Sequence, residues 1–147
     1  MSREAHVRFC ESLGVQFPGA THPLYCTRNR KGNFRVGLRT EKSRLRRALM
    51  RLQDQMRRMR HLSIREQADC LNQMLRGHYG YYGIAGNIRA LQRVHRAVER
   101  YWRIMLSSRS WKGPVLWKHF QQIKERFPLV RPKLYLPYSE LQAIAVL

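Results

Sequence analysis

Hydrophobic residues recur along this chain at intervals of three and four, the spacing by which an amphipathic helix turns one side inward. Leu45, Leu49, Leu52, Met56 and Met59 form the first such stripe and predict a helix over about 41 to 61. Thr40 is placed to cap it, and Glu41 complements the positive end of its dipole. Ser63-Ile64-Arg65-Glu66 has the form of a capping box, and Ile64, Ala68, Leu71, Leu75 and Tyr82 continue at helical spacing, so a second helix starts near 64. After the tight connection Ala85-Gly86-Asn87, Asn87 caps a third helix over about 88 to 106, with Leu91, Val94, Val98, Trp102 and Met105 as its apolar stripe. Ser107 to Gly113 reads as a loop, and Pro114 suits the first turn of a fourth helix whose buried side is Leu116, Phe120, Ile123 and Phe127. Pro128 and Pro132 end regular structure, ahead of an apolar tail, Ala143 to Leu147.

Two stretches depart from this period. Around Arg30-Lys31-Gly32, the segments Tyr25 to Arg28 and Asn33 to Leu38 alternate in character as two short strands joined by a turn do. Gly77, Gly80 and Gly83 stand every third residue among His78, Tyr79, Tyr81 and Tyr82. Each glycine costs a helix about 1 kcal/mol relative to alanine, so the spacing predicts close approach by a neighbouring helix. The tyrosines are then mostly packing, with Tyr79 or Tyr81 left as candidates for stacking on exposed bases. The expected fold is mainly α, a small bundle of about four helices preceded by a short basic β-hairpin. An irregular lead-in covers 1–24, hairpin and three helices 25–110, and a short helical segment with its tail 111–147.

Charge changes the picture from fold to partner. The chain has 147 residues with 29 Lys plus Arg against 9 Asp plus Glu, a net charge of +20 and a pI near 11.3. That excess is far beyond what solubility asks of a small domain. Most of it is arginine, whose guanidinium forks onto phosphate and stacks on bases. Arg89, Arg93, Arg96, Arg100 and Arg103 recur in steps of four and three along the third helix and line one edge of it, beside the apolar stripe. Glu99, at i+3 from Arg96 and i−4 from Arg103, is placed to orient both. Arg44, Arg47, Arg51 and Arg58 on the first helix, Arg76 on the second, Arg109 and Lys112 beyond the third, and Arg28, Arg30, Lys31 and Arg35 in the hairpin complete a candidate nucleic-acid surface. The blander alternatives are a solvated face on the helix and an edge hairpin that uses charge against aggregation.

Catalytic and metal chemistry find no support in the sequence. The two aspartates, Asp54 and Asp69, lie on separate helices, so no carboxylate cluster for two-metal phosphoryl transfer assembles. No phosphate-binding glycine loop or nucleophile elbow occurs, and the histidines are dispersed. Cys10, Cys26 and Cys70 share no C-x-x-C spacing, which predicts reduced thiols, no zinc knuckle and no cofactor. No apolar run of membrane-spanning length and no signal-peptide pattern occurs, so a cytoplasmic protein without membrane contact is expected; the oligomeric state stays open.

From about Tyr25 onward the chain resembles the C-terminal part of group II intron reverse transcriptases, the maturases. RKGNFRVGLRT precedes a basic helix, LNQMLRGHYGYYGIAGNIRALQRVHRAVERYWRIMLSSRS follows it, and WKGPVLWKHFQQIKERFPLVRPK comes next. Within these, Leu71 to Tyr82 fits L-x-x-x-x-R-G-x-x-x-Y-Y. In that family this order describes the thumb and the adjoining maturase-specific domain X. The resemblance implies an RNA-binding module that grips structured intron RNA and assists its folding and splicing. By it, Arg76, Tyr81 and Tyr82 shape the thumb helix, while the rail and Arg109 face RNA. The family's fingers and palm, with their Asp-Asp motif, have no counterpart, and Pro18 to Leu24 replaces the family's F-L-G-F-T-H approach to the hairpin. The expected protein is therefore not an enzyme but a split, rearranged or remnant maturase. The alternatives are a thumb fragment that needs a separate reverse transcriptase palm as partner, and a general basic scaffold for nucleic acid.

Overall fold

The computed structural model describes residues 24–28, 30–32, 34–38, 40–109, 113–137 and 139–140. The expected lead-in up to residue 23, the loop centre around Lys112 and the apolar tail lie outside the described residues, and Leu24, expected in the lead-in, instead begins the first strand. The chain is mainly helical. Backbone strands β1 (Leu24–Arg28) and β2 (Phe34–Leu38) pair antiparallel with Cys26 opposite Val36. They are followed by α1 (Lys42–Arg58), a 3-10 turn (Met59–His61), α2 (Ile64–Tyr82), α3 (Ile88–Ser107) and α4 (Trp117–Arg126).

The core is where the stripes place it. Leu52, Met56 and Met59 from α1 and its 3-10 turn meet Ala68, Leu71, Leu75, Tyr79 and Tyr82 of α2 and Leu91, Val94, Val98, Trp102 and Leu106 of α3, and Phe120 of α4 closes one end. Leu45, Leu49, Ile64 and Met105 pack half-buried at the margin, while Ala48 and Leu106 take buried places that the stripes did not assign.

Helix starts divide into one that uses its expected cap and three that do not. The Ser63 hydroxyl accepts from the Glu66 N–H at 3.3 Å and the Glu66 carboxylate accepts from the Ser63 N–H at 3.0 Å, a complete capping box. Thr40 caps nothing, because α1 begins one residue later with Glu41 as its N-cap. Thr40 is instead buried, and Asn87 holds it: the Thr40 N–H donates to Asn87 Oδ1 at 3.2 Å, and Asn87 Nδ2 donates to Thr40 Oγ1 at 2.7 Å and to the Tyr82 carbonyl at 2.9 Å. Asn87 thus stands at the N-cap of α3 without side-chain capping, its amide committed to joining α1, α2 and α3. Pro114 lies ahead of α4, whose N-cap Leu116 is exposed rather than buried.

The glycine expectation is corrected in the same way. A side chain at Gly77 or Gly80 would meet nothing within 4 Å, so among the described residues no helix packs closely there. At Gly83 a Cβ would strike the Tyr79 carbonyl oxygen, the Tyr135 ring at 2.9 Å and the Lys133 carbonyl at 3.0 Å. The close neighbour is the C-terminal segment. Gly83 ends α2, its carbonyl accepts from Tyr135 at 2.7 Å, and Ala85 donates to Leu136 at 2.8 Å in a single parallel bridge. Upstream, Asn72 binds the same segment as a strand would: its Nδ2 donates to the Pro128 carbonyl at 3.0 Å and its Oδ1 accepts from the Val130 N–H at 2.8 Å. Residues 128–136 therefore strap onto the helices after regular structure ends, burying Leu129. Gly86 supplies the positive φ, 91°, that the α2–α3 turn requires.

Candidate nucleic-acid interface

At about 100° per residue, Arg89, Arg93, Arg96, Arg100 and Arg103 occupy an arc of about 80° on α3 and run about 21 Å along it. That arc is centred opposite Leu91, Val94, Val98 and Trp102, not beside them, so the rail points directly away from the core. Arg89, Arg93, Arg96 and Arg100 are exposed and Arg103 is half-buried.

Their one local acid is engaged elsewhere. Glu99 accepts a 2.9 Å ion pair from Lys124 of α4 and lies 3.7 Å from His95, so it does not orient Arg96 or Arg103 as the spacing suggests. Lysine reaches it because Phe120 anchors α4 against Trp102, with the two rings edge-on at 5.7 Å between centres. Among the described residues no rail arginine has an ion pair with a carboxylate. Among the described residues, no carboxylate compensates the rail's cationic field.

On α1 the cations are differently disposed. Arg47, Arg51 and Arg58 are exposed and Arg44 half-buried; Arg44 lies 3.5 Å from Glu41, and Arg58 pairs with Asp54 at 2.9 Å. Arg44, Arg47 and Arg51 sit around the Tyr82 phenol, which burial and the neighbouring Tyr81 push up while the three guanidiniums pull it down. Lys42, Arg46, Arg57 and Arg60 are also exposed. Arg76 is exposed on α2, Arg109 just past the end of α3, and Arg30 and Lys31 in the turn between the strands. The side chains of Arg28 and Arg35, and Lys112 entirely, lie outside the described residues.

Of the two tyrosines offered for base stacking, Tyr79 is excluded. It is fully buried, its hydroxyl lies 3.2 Å from His95 Nδ1, and burial, followed by the Glu99 charge, raises its pKa strongly. Tyr81 remains half-buried against Tyr82. His95 is held below its ordinary range first by burial, with Lys124 and Arg131 adding to the effect against Glu99 and the Val130 backbone. An aromatic residue absent from the expected surface is Trp117, half exposed at the start of α4 beside Arg103. Its signal in the sequence is an aromatic one position past Leu116 and off the stripe of Phe120, Ile123 and Phe127.

Among the described residues no group of three or more His, Cys, Asp or Glu side chains could hold a metal ion, and no helix is long and apolar enough to cross a membrane. Cys70 is a buried free thiol. No family model, no curated protein and no solved structure matches the chain.

Proposed function

We propose that this protein is an RNA-binding module that grips structured RNA along α3, in the manner of the maturase C-terminal regions it resembles, and that its natural ligand is group II intron RNA. The observation that carries the proposal is the uncompensated rail. Arginines at successive turns, exposed and opposite the core, make a rigid comb of bidentate donors suited to a phosphate backbone. The Arg44, Arg47 and Arg51 group on α1, with Arg58, Arg76 and Arg109, extends the contact, and the basic hairpin with Arg28, Arg30, Lys31 and Arg35 adds a second grip. RNA performs the splicing chemistry in this proposal; the protein contributes binding alone and calls for no cofactor.

The test is a salt titration of purified protein against a folded group II intron RNA and a generic blunt RNA duplex. Each phosphate neutralised adds about 0.7 to 0.9 to the slope of log affinity against log salt. A steep slope with the folded RNA preferred at every salt concentration is expected. Equal affinity for both would reduce the protein to a general basic scaffold, and failure to bind either would end the proposal.

A further inference from the structure

At the C-terminal end of the rail the cationic face gives way to exposed apolar side chains. Trp117 is 53% exposed, Leu116 72% and Ile104 44%. Large apolar side chains in solvent on so charged a molecule call for an explanation, Trp117 above all, since it alone of the three is held against the rail. The indole is not loose: it lies on the buried Phe120 ring, 5.8 Å between centres at 44°, with the Arg103 guanidinium 5.7 Å and the Lys124 ammonium 5.3 Å from its centre. Lys124 is itself fixed by Glu99 at 2.9 Å. Val115, two residues before the indole, is tied to α3 as well, since its N–H donates to Ser107 Oγ at 3.0 Å and that hydroxyl donates to the Arg103 carbonyl at 2.8 Å.

We propose that Trp117 is a stacking platform for an unpaired RNA base, with Arg103 as the cation that takes the adjoining phosphate; this rests on the RNA-binding function proposed above. A flat aromatic ring, half exposed, with Arg103 and Lys124 lying over it and the rail running on from Arg103, suits a single strand in which the base takes the place of the Arg103 guanidinium on the ring as that cation moves to the adjoining phosphate. Lys124 is already neutralised by Glu99, but a protein partner's apolar surface would have to displace or neutralise Arg103, so charge complementarity favours the nucleotide. The structure therefore assigns two modes to one surface. The rail reads any backbone, and its end selects strands whose bases are free.

The experiment compares Trp117→Ala and Trp117→Phe with wild type on two probes, a short oligoadenylate and a blunt RNA duplex of the same length, with thermal melts as the folding control. Trp117→Ala is expected to lose about tenfold in affinity for the single strand and to leave duplex binding unchanged, with Trp117→Phe between. The phenylalanine variant keeps a ring on Phe120 and serves if the alanine variant melts early. Unchanged single-strand affinity, or the same loss on both probes, would overturn the platform, and the former would leave Leu116 and Trp117 as a protein contact. Wild-type protein that bound neither probe would instead overturn the RNA-binding function itself, a distinguishable outcome.

Discussion

Helices α1 and α3 are both amphipathic and both rich in arginine, yet they deploy charge differently. On α3 the arginines share one narrow arc opposite the core, and none is paired with a carboxylate among the described residues. On α1 cations occupy nearly the whole solvent side, and Glu41 and Asp54 engage Arg44 and Arg58. Composition alone would rank the two helices as equals. Angular order separates them: a concentrated arc sums its fields in one direction, whereas dispersed and partly paired cations chiefly hydrate a surface.

The largest challenge to that contrast comes from beneath the rail. Trp102 is buried, edge-on to Phe120, with its indole N–H donating to Gln67 Oε1 at 3.0 Å. Gln67 in turn places its amide nitrogen 3.2, 3.3 and 3.1 Å from the carbonyls of Met59, Arg60 and Leu62, so one side chain joins the end of α1 to α3. Trp102→Ala is expected to cost about 3 to 5 kcal/mol in chemical denaturation. A variant as stable as wild type would show that α3 is not seated as described.

Acid stresses the interior while leaving every arginine charged. His78 is buried, its ring 4.6 Å from that of Tyr82 and 6.3 Å from that of Tyr79, and burial lowers its pKa to about 4. Its folded pKa lies below the unfolded value, so the unfolded chain takes up the proton first. Stability is full above about pH 6.5, falls as pH drops towards 4, and flattens below it, a loss of about 3 kcal/mol from this group. His95, also lowered, acts in the same direction. His78→Gln should flatten that portion of a stability-against-pH curve; an unaltered curve would place the acid sensitivity elsewhere.

The most direct comparison removes equal charge from each helix. Arg93, Arg96 and Arg100 replaced together by alanine should weaken RNA binding by about 2 to 3 kcal/mol and lower the salt slope by about 2 to 3, with circular dichroism unchanged. The matched change of Lys42, Arg46 and Arg57 on α1 should cost less than about a third of that. Equal losses would mean that net charge alone matters and that the angular order of α3 has no functional weight.

The helices and their inward sides were legible because each follows a local period, and the Ser63–Glu66 box because its two halves lie within one turn. Direction was equally within reach: the same step of about 100° that gathers the five arginines sets them opposite Leu91, Val94, Val98 and Trp102, so placing the rail beside the stripe misread the period. Least legible were polar residues with distant partners. Asn87 binds Thr40 and Asn72 binds the strap at Pro128 and Val130, and no local pattern distinguishes such asparagines from caps or surface residues. Glu99 is the sharpest case. Sequence neighbours offered it two arginines, and tertiary packing brought it a lysine from another helix.

That choice of partner has a consequence for how the molecule responds to ions. By stitching α4 to α3, Glu99 leaves the rail without a carboxylate partner among the described residues, so its arginines repel one another along the helix. Dissolved electrolyte is then expected to act with opposite sign on two states: it shields the array and steadies the fold, while in the proposed RNA complex it competes for the same guanidiniums and loosens binding.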